Sequence, residues 1–114
     1  MLLLLLAVPL SLEAQDKMEP PGDCTQEEHR RLKQEVGRAC KAVSMVCTAS
    51  HDCAALWKNL SQYQSCIAAR QLIADKCFRG GDETHLREIG NYRSGAEQCR
   101  KFITEKRCPP PACN

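Results

Sequence analysis

The fold of this chain depends most on residues 66–85, which read CIAARQLIADKCFRGGDETH. This segment predicts the end of one helix, a corner at Gly80-Gly81, and the start of a second helix that is capped by Asp82. Glycine is common where a helix ends in a left-handed residue, and an aspartate at the N-cap accepts a hydrogen bond from a free amide of the first turn. Because Cys66 and Cys77 lie in the helix before the corner, we expect the chain to be cross-linked there.

Three segments with helical spacing of apolar residues surround this corner. The first helix is predicted from Thr25 to about Val43, with Glu28 completing a capping-box pattern. The second runs from Cys53 to Phe78, either as one helix or as two that break near Asn59-Leu60-Ser61, which is also a formal glycosylation sequon. The third follows Asp82 and ends near Glu105. No strand pattern occurs, so the sequence predicts an all-α fold, a small disulfide-stapled bundle of three to four helices.

The domain organisation follows from shifts in composition along the chain. Leu2 to Leu6 begin an apolar run that is too short to span a bilayer and is typical of a secretory signal peptide; the alternative is an uncleaved anchor. Glu19-Pro20-Pro21-Gly22 interrupts any periodicity and indicates an extended linker. The predicted organisation is a signal peptide (1–14), a linker (15–23), a cysteine-rich helical domain (24–108) and a tail (109–114).

The chain of 114 residues contains nine cysteines, all of them after the predicted signal peptide. That density is typical of a secreted domain whose small core needs disulfides, and the absence of any Cys-x-x-Cys pair argues against a zinc site. We therefore predict about four disulfides, no metal and no cofactor, with Cys108 or Cys113 unpaired. The helical register places three cysteine pairs at similar heights, although spacing alone does not fix connectivity. These pairs are Cys24 with Cys77, Cys40 with Cys53, and Cys66 with Cys99.

Three polar residues, His29, Arg70 and His85, lie on helix faces that should point inward. In an up-down-up bundle, all three fall within roughly 12 Å of the corner end, at about 1.5 Å rise per residue. Two histidines and an arginine can carry out acid–base chemistry and hold an anion, and Asp82 or Glu28 is near enough to orient a histidine. The positive end of a helix dipole also favours a neutral imidazole, which can act as a base. The predicted catalytic residues are therefore His85, His29, Arg70 and Asp82.

A purely structural interpretation of the same residues is the alternative. The histidines would then be boundary residues at helix ends, and Arg70 would pair with a carboxylate such as Asp82 or with helix-end carbonyls. The net charge of +2 is too small to indicate nucleic-acid binding by itself. Arg30, Lys33, Gln34 and Lys41 of the first helix are most simply a solvated surface. No P-loop, metal-ligand motif or nucleophile motif competes with the corner as a site.

The ordered cysteines and corner residues resemble a known family. The features that carry the resemblance are Cys24 with Glu27-Glu28-His29, Ala39-Cys40-Lys41, Cys47, Cys53, Cys66 with Ala69-Arg70, the segment Cys77-Phe78-Arg79-Gly80-Gly81-Asp82 with His85, and Cys99. Together they are similar to the cysteine-rich domain called novel toxin sixteen, which occurs at the ends of bacterial polymorphic toxins. The resemblance covers about residues 24–108 and is most specific at the corner.

This resemblance implies an all-helical, bacterial, exported domain that acts as a toxin-like effector in a secreted or periplasmic setting. It also implies a cognate immunity protein as a partner. The first functional hypothesis is a metal-independent hydrolase that acts on nucleic acid, with a target in the cell envelope as the other option. The second is a non-enzymatic, disulfide-stapled secreted binding module. No stable membrane span is expected once the signal peptide is removed.

Overall fold

A computed structural model describes residues 23–43 and 46–111 of the chain. In this part of the chain the regular elements are three α-helices, α1 (Gln26–Lys41), α2 (Cys53–Cys77) and α3 (Glu83–Glu105). None of these helices is long and apolar enough to cross a membrane. The predicted all-α, disulfide-stapled bundle is confirmed. The predicted signal peptide (1–14), residues 15–22 of the linker and residues 112–114 of the tail lie outside the described residues.

Each helix begins at a side-chain cap. In each case an oxygen of the N-cap residue accepts a hydrogen bond from the amide three residues later, which satisfies a backbone donor that the helix itself cannot pair. The pairs are Thr25 with Glu28 at 3.1 Å, Asp52 with Ala55 at 2.8 Å, and Asp82 with His85 at 2.9 Å. The caps fix where the chain enters each helix and so fix the register of its inward face.

Helix α2 is the central element, because both α1 and α3 pack against it. It runs unbroken through Asn59-Leu60-Ser61, so the alternative of two shorter helices is wrong. Asn59 is only 4% exposed in the middle of this helix, which leaves its side chain inaccessible to a glycan. A helix with neighbours on two sides must bury more than one narrow stripe, and α2 does so.

The buried apolar side chains form two clusters at opposite ends of the bundle. We call the first the loop-end core; its buried members are Cys47, Leu56, Leu60, Tyr63, Ala96, Cys99 and Ile103. The second, the corner core, lies beneath Gly80-Gly81, and its buried members are Cys24, Leu32, Ile73 and Cys77. Helix α1 is the shortest of the three helices and contributes Leu32 to the corner core.

Four disulfides connect the helices and the loop before α2. They are Cys24–Cys77, Cys40–Cys66, Cys47–Cys99 and Cys53–Cys108. The predicted juxtaposition of Cys24 with Cys77 is confirmed, whereas Cys40 with Cys53 and Cys66 with Cys99 are wrong as partners. The reason is geometric: α1 ends beside the middle of α2, so Cys40 meets Cys66 rather than the distant start of α2. Of the two cysteines expected to include the unpaired one, Cys108 is bonded, and Cys113 lies outside the described residues.

The corner itself consists of three consecutive residues with positive φ. These are Arg79 at 52°, Gly80 at 95° and Gly81 at 109°. The first left-handed residue after α2 is thus an arginine rather than the expected glycine. Its guanidinium pairs with Asp23, through Nε contacts of 3.2 and 3.3 Å to the carboxylate oxygens. At Gly81 the space is also restricted, since a Cβ there would lie 3.3 Å from the Cβ of Ala74.

Candidate functional site

A cleft of about 370 Å³ opens at the corner end of the bundle. It is bounded by α1 on one side and α3 on the other, with α2 contributing to its lining. The structure brings together three of the four predicted site residues in its lining, and the fourth, Asp82, lies beside it in contact with His85. The lining residues are His29, Lys33, Val36, Gly37, Arg70, Ile73, His85 and Glu88.

His85 is oriented by the residue that caps its own helix. The Asp82 carboxylate oxygen Oδ1 accepts one hydrogen bond from the backbone N–H of His85 at 2.9 Å and lies 2.8 Å from its ring Nδ1. A carboxylate can only accept in this contact, so Nδ1 carries the proton and Nε2 is left for other partners. The backbone N–H bond, followed by the ring contact, lowers the pKa of the Asp82 carboxyl. Asp82 therefore stays ionised, and its carboxylate fixes the orientation of the His85 ring.

His29 is in a different electrostatic environment from His85. Partial burial is the main cause that lowers its pKa, and the nearby cations Lys33 and, when protonated, His85 act in the same direction. Its imidazole is therefore held in the neutral form, which has a free ring nitrogen to accept a proton. Burial, rather than the helix dipole, is the leading cause of this lowered pKa.

Phe78, the C-cap residue of α2, contacts both imidazoles. Its ring centroid is 5.7 Å from that of His29 in an edge-on arrangement, and 4.4 Å from that of His85. An aromatic ring in this position restricts both imidazoles by packing, without offering them a hydrogen bond. The sequence assigned no role to Phe78; its contact with the two site histidines follows from the helix ending there.

Arg70 is less available to an anion than the sequence suggested. Its Nη1 donates to Oε2 of Glu88, and its guanidinium lies 5.0 Å from the ring centroid of Tyr92. The partner carboxylate is therefore Glu88 and not Asp82. The Nε atom is buried without a hydrogen-bond partner, and the side chain as a whole is 21% exposed. A buried donor without a partner carries a desolvation cost, so the Nε–H of Arg70 adds no stabilisation at this position.

The sequence placed three further lining residues wrongly or not at all. Lys33, assigned to a solvated surface, lines the cleft, and it lies four residues after His29, a spacing that puts both on one helix face. Glu88 follows His85 by three residues, so these two residues also share one helix face. A Cβ at Gly37 would meet no atom within 4 Å, so this glycine leaves the α1 side of the cleft open.

Glu28 and the remaining histidine do not belong to the cleft. The Glu28 carboxylate lies 3.8 Å from the Lys76 ammonium, so it does not orient a histidine. His51 lies in the loop before α2, where its Nδ1 accepts a hydrogen bond from the backbone N–H of Thr48 at 3.0 Å. Its backbone carbonyl accepts from Lys106. Among the described residues, no group of three or more His, Cys, Asp or Glu side chains is arranged to hold a metal ion.

Comparison with known proteins connects this geometry to a family. The sequence profile of the family described as Novel toxin 16 matches residues 19–102, which is more than half of the chain and includes all of the cleft residues. No curated protein and no solved structure matches the chain.

Proposed function

The chain belongs to the Novel toxin 16 family, and we propose that this toxin-like effector domain cleaves nucleic acid by metal-independent acid–base catalysis in the corner cleft. Two histidines in one cleft, with opposite electrostatic surroundings, are the observation that carries this proposal. Burial and the nearby Lys33 lower the pKa of His29, whereas the ring of His85 contacts the Asp82 carboxylate. Pairs of titratable groups whose environments differ in this way are typical of acid and base partners.

His29 is assigned the role of base and His85 the role of acid. Cleavage of a phosphodiester requires removal of a proton from the attacking oxygen and donation of a proton to the departing oxygen. The eight residues that line the cleft carry no side-chain hydroxyl or thiol. The attacking oxygen in this scheme therefore comes from water or from a hydroxyl of the substrate. The P–O bond to the leaving oxygen breaks as the new P–O bond forms, and each histidine ends with the protonation state of the other.

Lys33 and Arg70 supply the positive charge that a phosphoryl group needs. Lys33 makes no ion pair with a described residue and projects into the same cleft as the histidines. Arg70 also lines the cleft, but its charge is paired with Glu88 and its Nε–H is buried, so its contribution is the smaller one. Fixed donors of this kind stabilise the extra negative charge that develops on the phosphoryl oxygens during the reaction. Lys33 thus takes over the main anion-holding role that the sequence gave to Arg70.

Export into an oxidising compartment completes the proposal. Four disulfides in such a short domain are typical of secreted and periplasmic proteins. In a bacterial producer of a polymorphic toxin, a cognate immunity protein would have to neutralise the effector, and the open cleft is the surface where one protein could block both histidines. The producing cell would then be protected by occlusion of the site.

Substitution of His85 by Ala tests the proposal. We expect cleavage of RNA or single-stranded DNA, assayed with a chelator present, to fall about 10²- to 10⁴-fold, because the proton donor is lost. Growth arrest of a sensitive cell should disappear in parallel. Asp82→Asn, which keeps a good helix cap, should lower activity by orienting the imidazole less well.

The matched control is His51→Ala, which removes a histidine that lies outside the cleft. It should leave cleavage unchanged, and the free energy of unfolding of each variant should be measured to exclude a folding defect. Full toxicity of a folded His85→Ala variant would overturn the proposal.

The non-enzymatic binding module is favoured by one observation, the pairing of Arg70 with Glu88. That interpretation requires the histidines and Arg70 to be buried and paired, but His29 and His85 line an open cleft. It would be supported if the His85→Ala variant still bound target cells and still arrested their growth.

A further inference from the structure

The cleft opens towards a row of positive charges on α1. Arg30, Lys33 and Lys41, together with Gly37, are separated by three or four residues, so they share one face of the helix. All four are solvent-exposed, and Lys33 and Gly37 also line the cleft. Arg30 and Lys41 therefore add positive charge on either side of Lys33 along the helix.

This row forms no ion pair within the part of the protein that the structure describes. The ion pairs of the described residues use other cations of the bundle, including Arg38 of α1, which pairs with Glu35. No described carboxylate pairs with Arg30, Lys33 or Lys41. Across the cleft, Glu88 is already paired with Arg70, and Asp82 contacts His85. The charge of the row is thus directed at solvent and at whatever enters the cleft.

The dimensions of the row suit an extended chain of phosphates. From Arg30 to Lys41 the helix rises about 16 Å, at about 1.5 Å per residue. Successive phosphates of a stacked strand are about 3.4 Å apart along the axis, so the row spans about five phosphate spacings. Gly37 leaves a gap in the middle of the row, and a Cβ there would meet nothing within 4 Å. The backbone of a bound strand could approach the cleft through this gap without steric obstruction.

We infer that the row Arg30–Lys33–Lys41 is the binding surface for the backbone of a single-stranded polynucleotide. Lys33 would contact the phosphate at the cleft, and Arg30 and Lys41 would contact phosphates on either side of it. A single strand fits better than a duplex, because it is flexible enough to present one phosphate to the cleft through the gap at Gly37. The inference rests on the proposed function in taking nucleic acid as the substrate.

The test compares two pairs of charge removals on the same helix. Arg30→Gln with Lys41→Gln removes the two ends of the row. Arg31→Gln with Arg38→Gln removes the same net charge from another side of α1, outside the cleft. Binding of fluorescein-labelled single-stranded oligouridine is measured by fluorescence anisotropy between about 50 and 200 mM salt, the range over which phosphate contacts weaken strongly. The His85→Ala background prevents cleavage during the measurement.

Removal of Arg30 and Lys41 should weaken binding by at least about tenfold at 0.1 M salt. It should also reduce the slope of log affinity against log salt by about 1.4, because each lost contact on a single strand accounts for about 0.7. The control pair should change the slope by less than half of that. Equal effects of the two pairs, or no effect of either, would overturn the inference.

A failure here can be separated from a failure of the proposed function. If the row variants bind and cleave normally while His85→Ala abolishes cleavage, the row is not the binding surface and the catalytic proposal stands. If the row variants lose binding but His85→Ala in an otherwise unaltered chain still cleaves, the surface is correct and the assignment of the histidines is wrong.

Discussion

The two ends of the bundle are built in different ways. The loop-end core buries seven residues from the loop before α2, from α2 and from α3. Two hydrogen bonds to backbone carbonyls also connect the segments at this end. The Trp57 indole N–H donates to the carbonyl of Pro109 at 2.8 Å, and Lys106 donates to that of His51 at 2.7 Å. The corner core buries four residues, of which two are the disulfide-bonded Cys24 and Cys77. The inward positions around it are occupied by polar side chains that line an open cleft.

This difference shows where the domain is stabilised and where it carries its candidate chemistry. Apolar burial contributes roughly 25 cal/mol per Å² removed from water, so the loop end contributes most of the hydrophobic stabilisation. The corner end places His29, Arg70 and His85 where a purely structural bundle would place apolar side chains. Functional sites are commonly found in the less stable parts of a fold. At this corner, a disulfide and a capped turn supplement the stabilisation that the small corner core provides.

The largest expected effect comes from removing one disulfide at each end. Cys24–Cys77 and Cys47–Cys99 span nearly equal sequence separations, 53 and 52 residues, so loop entropy alone predicts equal losses of about 4 kcal/mol. We expect replacement of Cys47 and Cys99 by Ala to cost more in the free energy of unfolding, because it also removes two sulfurs from the larger core. Guanidinium denaturation measures both variants.

Activity should respond in the opposite order. Replacement of Cys24 and Cys77 by Ala releases the start of α1 from the end of α2, where Phe78 contacts both imidazoles. Under conditions in which both variants remain folded, the corner variant should lose more cleavage activity than the loop-end variant. Equal activity of the two would show that the cleft does not depend on its disulfide.

Two Gly→Ala substitutions within helices should have smaller effects on stability, and the two effects should be opposite in sign. A Cβ at Gly95 would lie 2.4 Å from Cε1 of the buried Tyr63, so Gly95→Ala should destabilise the loop end by about 1–3 kcal/mol. A Cβ at Gly37 meets nothing within 4 Å, so Gly37→Ala should stabilise the protein by up to about 1 kcal/mol through helix propensity. The midpoints of chemical denaturation should move in opposite directions. Destabilisation by Gly37→Ala would contradict the open cleft.

The smallest effect is a dependence of stability on pH at the corner end. The pKa of His29 is lowered in the folded protein, so near pH 6 the unfolded chain binds more protons at this residue than the folded one. Its contribution to the free energy of unfolding is complete above the ordinary value of about 6.5 and declines as the pH falls below it. Denaturation at pH 7.5 and at about pH 5.5 should show a smaller decline for His29→Gln than for the parent protein. An unchanged decline would mean that His29 is not the responsible group.

Much of the corner could be predicted because helical periodicity is a local property. The caps Thr25, Asp52 and Asp82 and the inward positions of His29, Arg70 and His85 follow from spacing along single helices. The ion pair of Arg70 could not be predicted in the same way. Its partner Glu88 lies on another helix, and which carboxylate it meets depends on the relative rotation of α2 and α3. Lys33 lies at the edge of the inward face of α1, where spacing alone does not separate a cleft residue from a solvated one.

The sequence by itself determined the helical class, the helix starts, the disulfide-rich character and the family, because each depends on local pattern or composition. Only the tertiary structure decided the cysteine pairing, the partner of Arg70 and the opening of the cleft beside Gly37. The physical reason is that these features depend on how far along α2 the shorter α1 reaches and on how the helices are rotated about their axes. Packing of all three helices sets those quantities, and no segment of the chain specifies them alone.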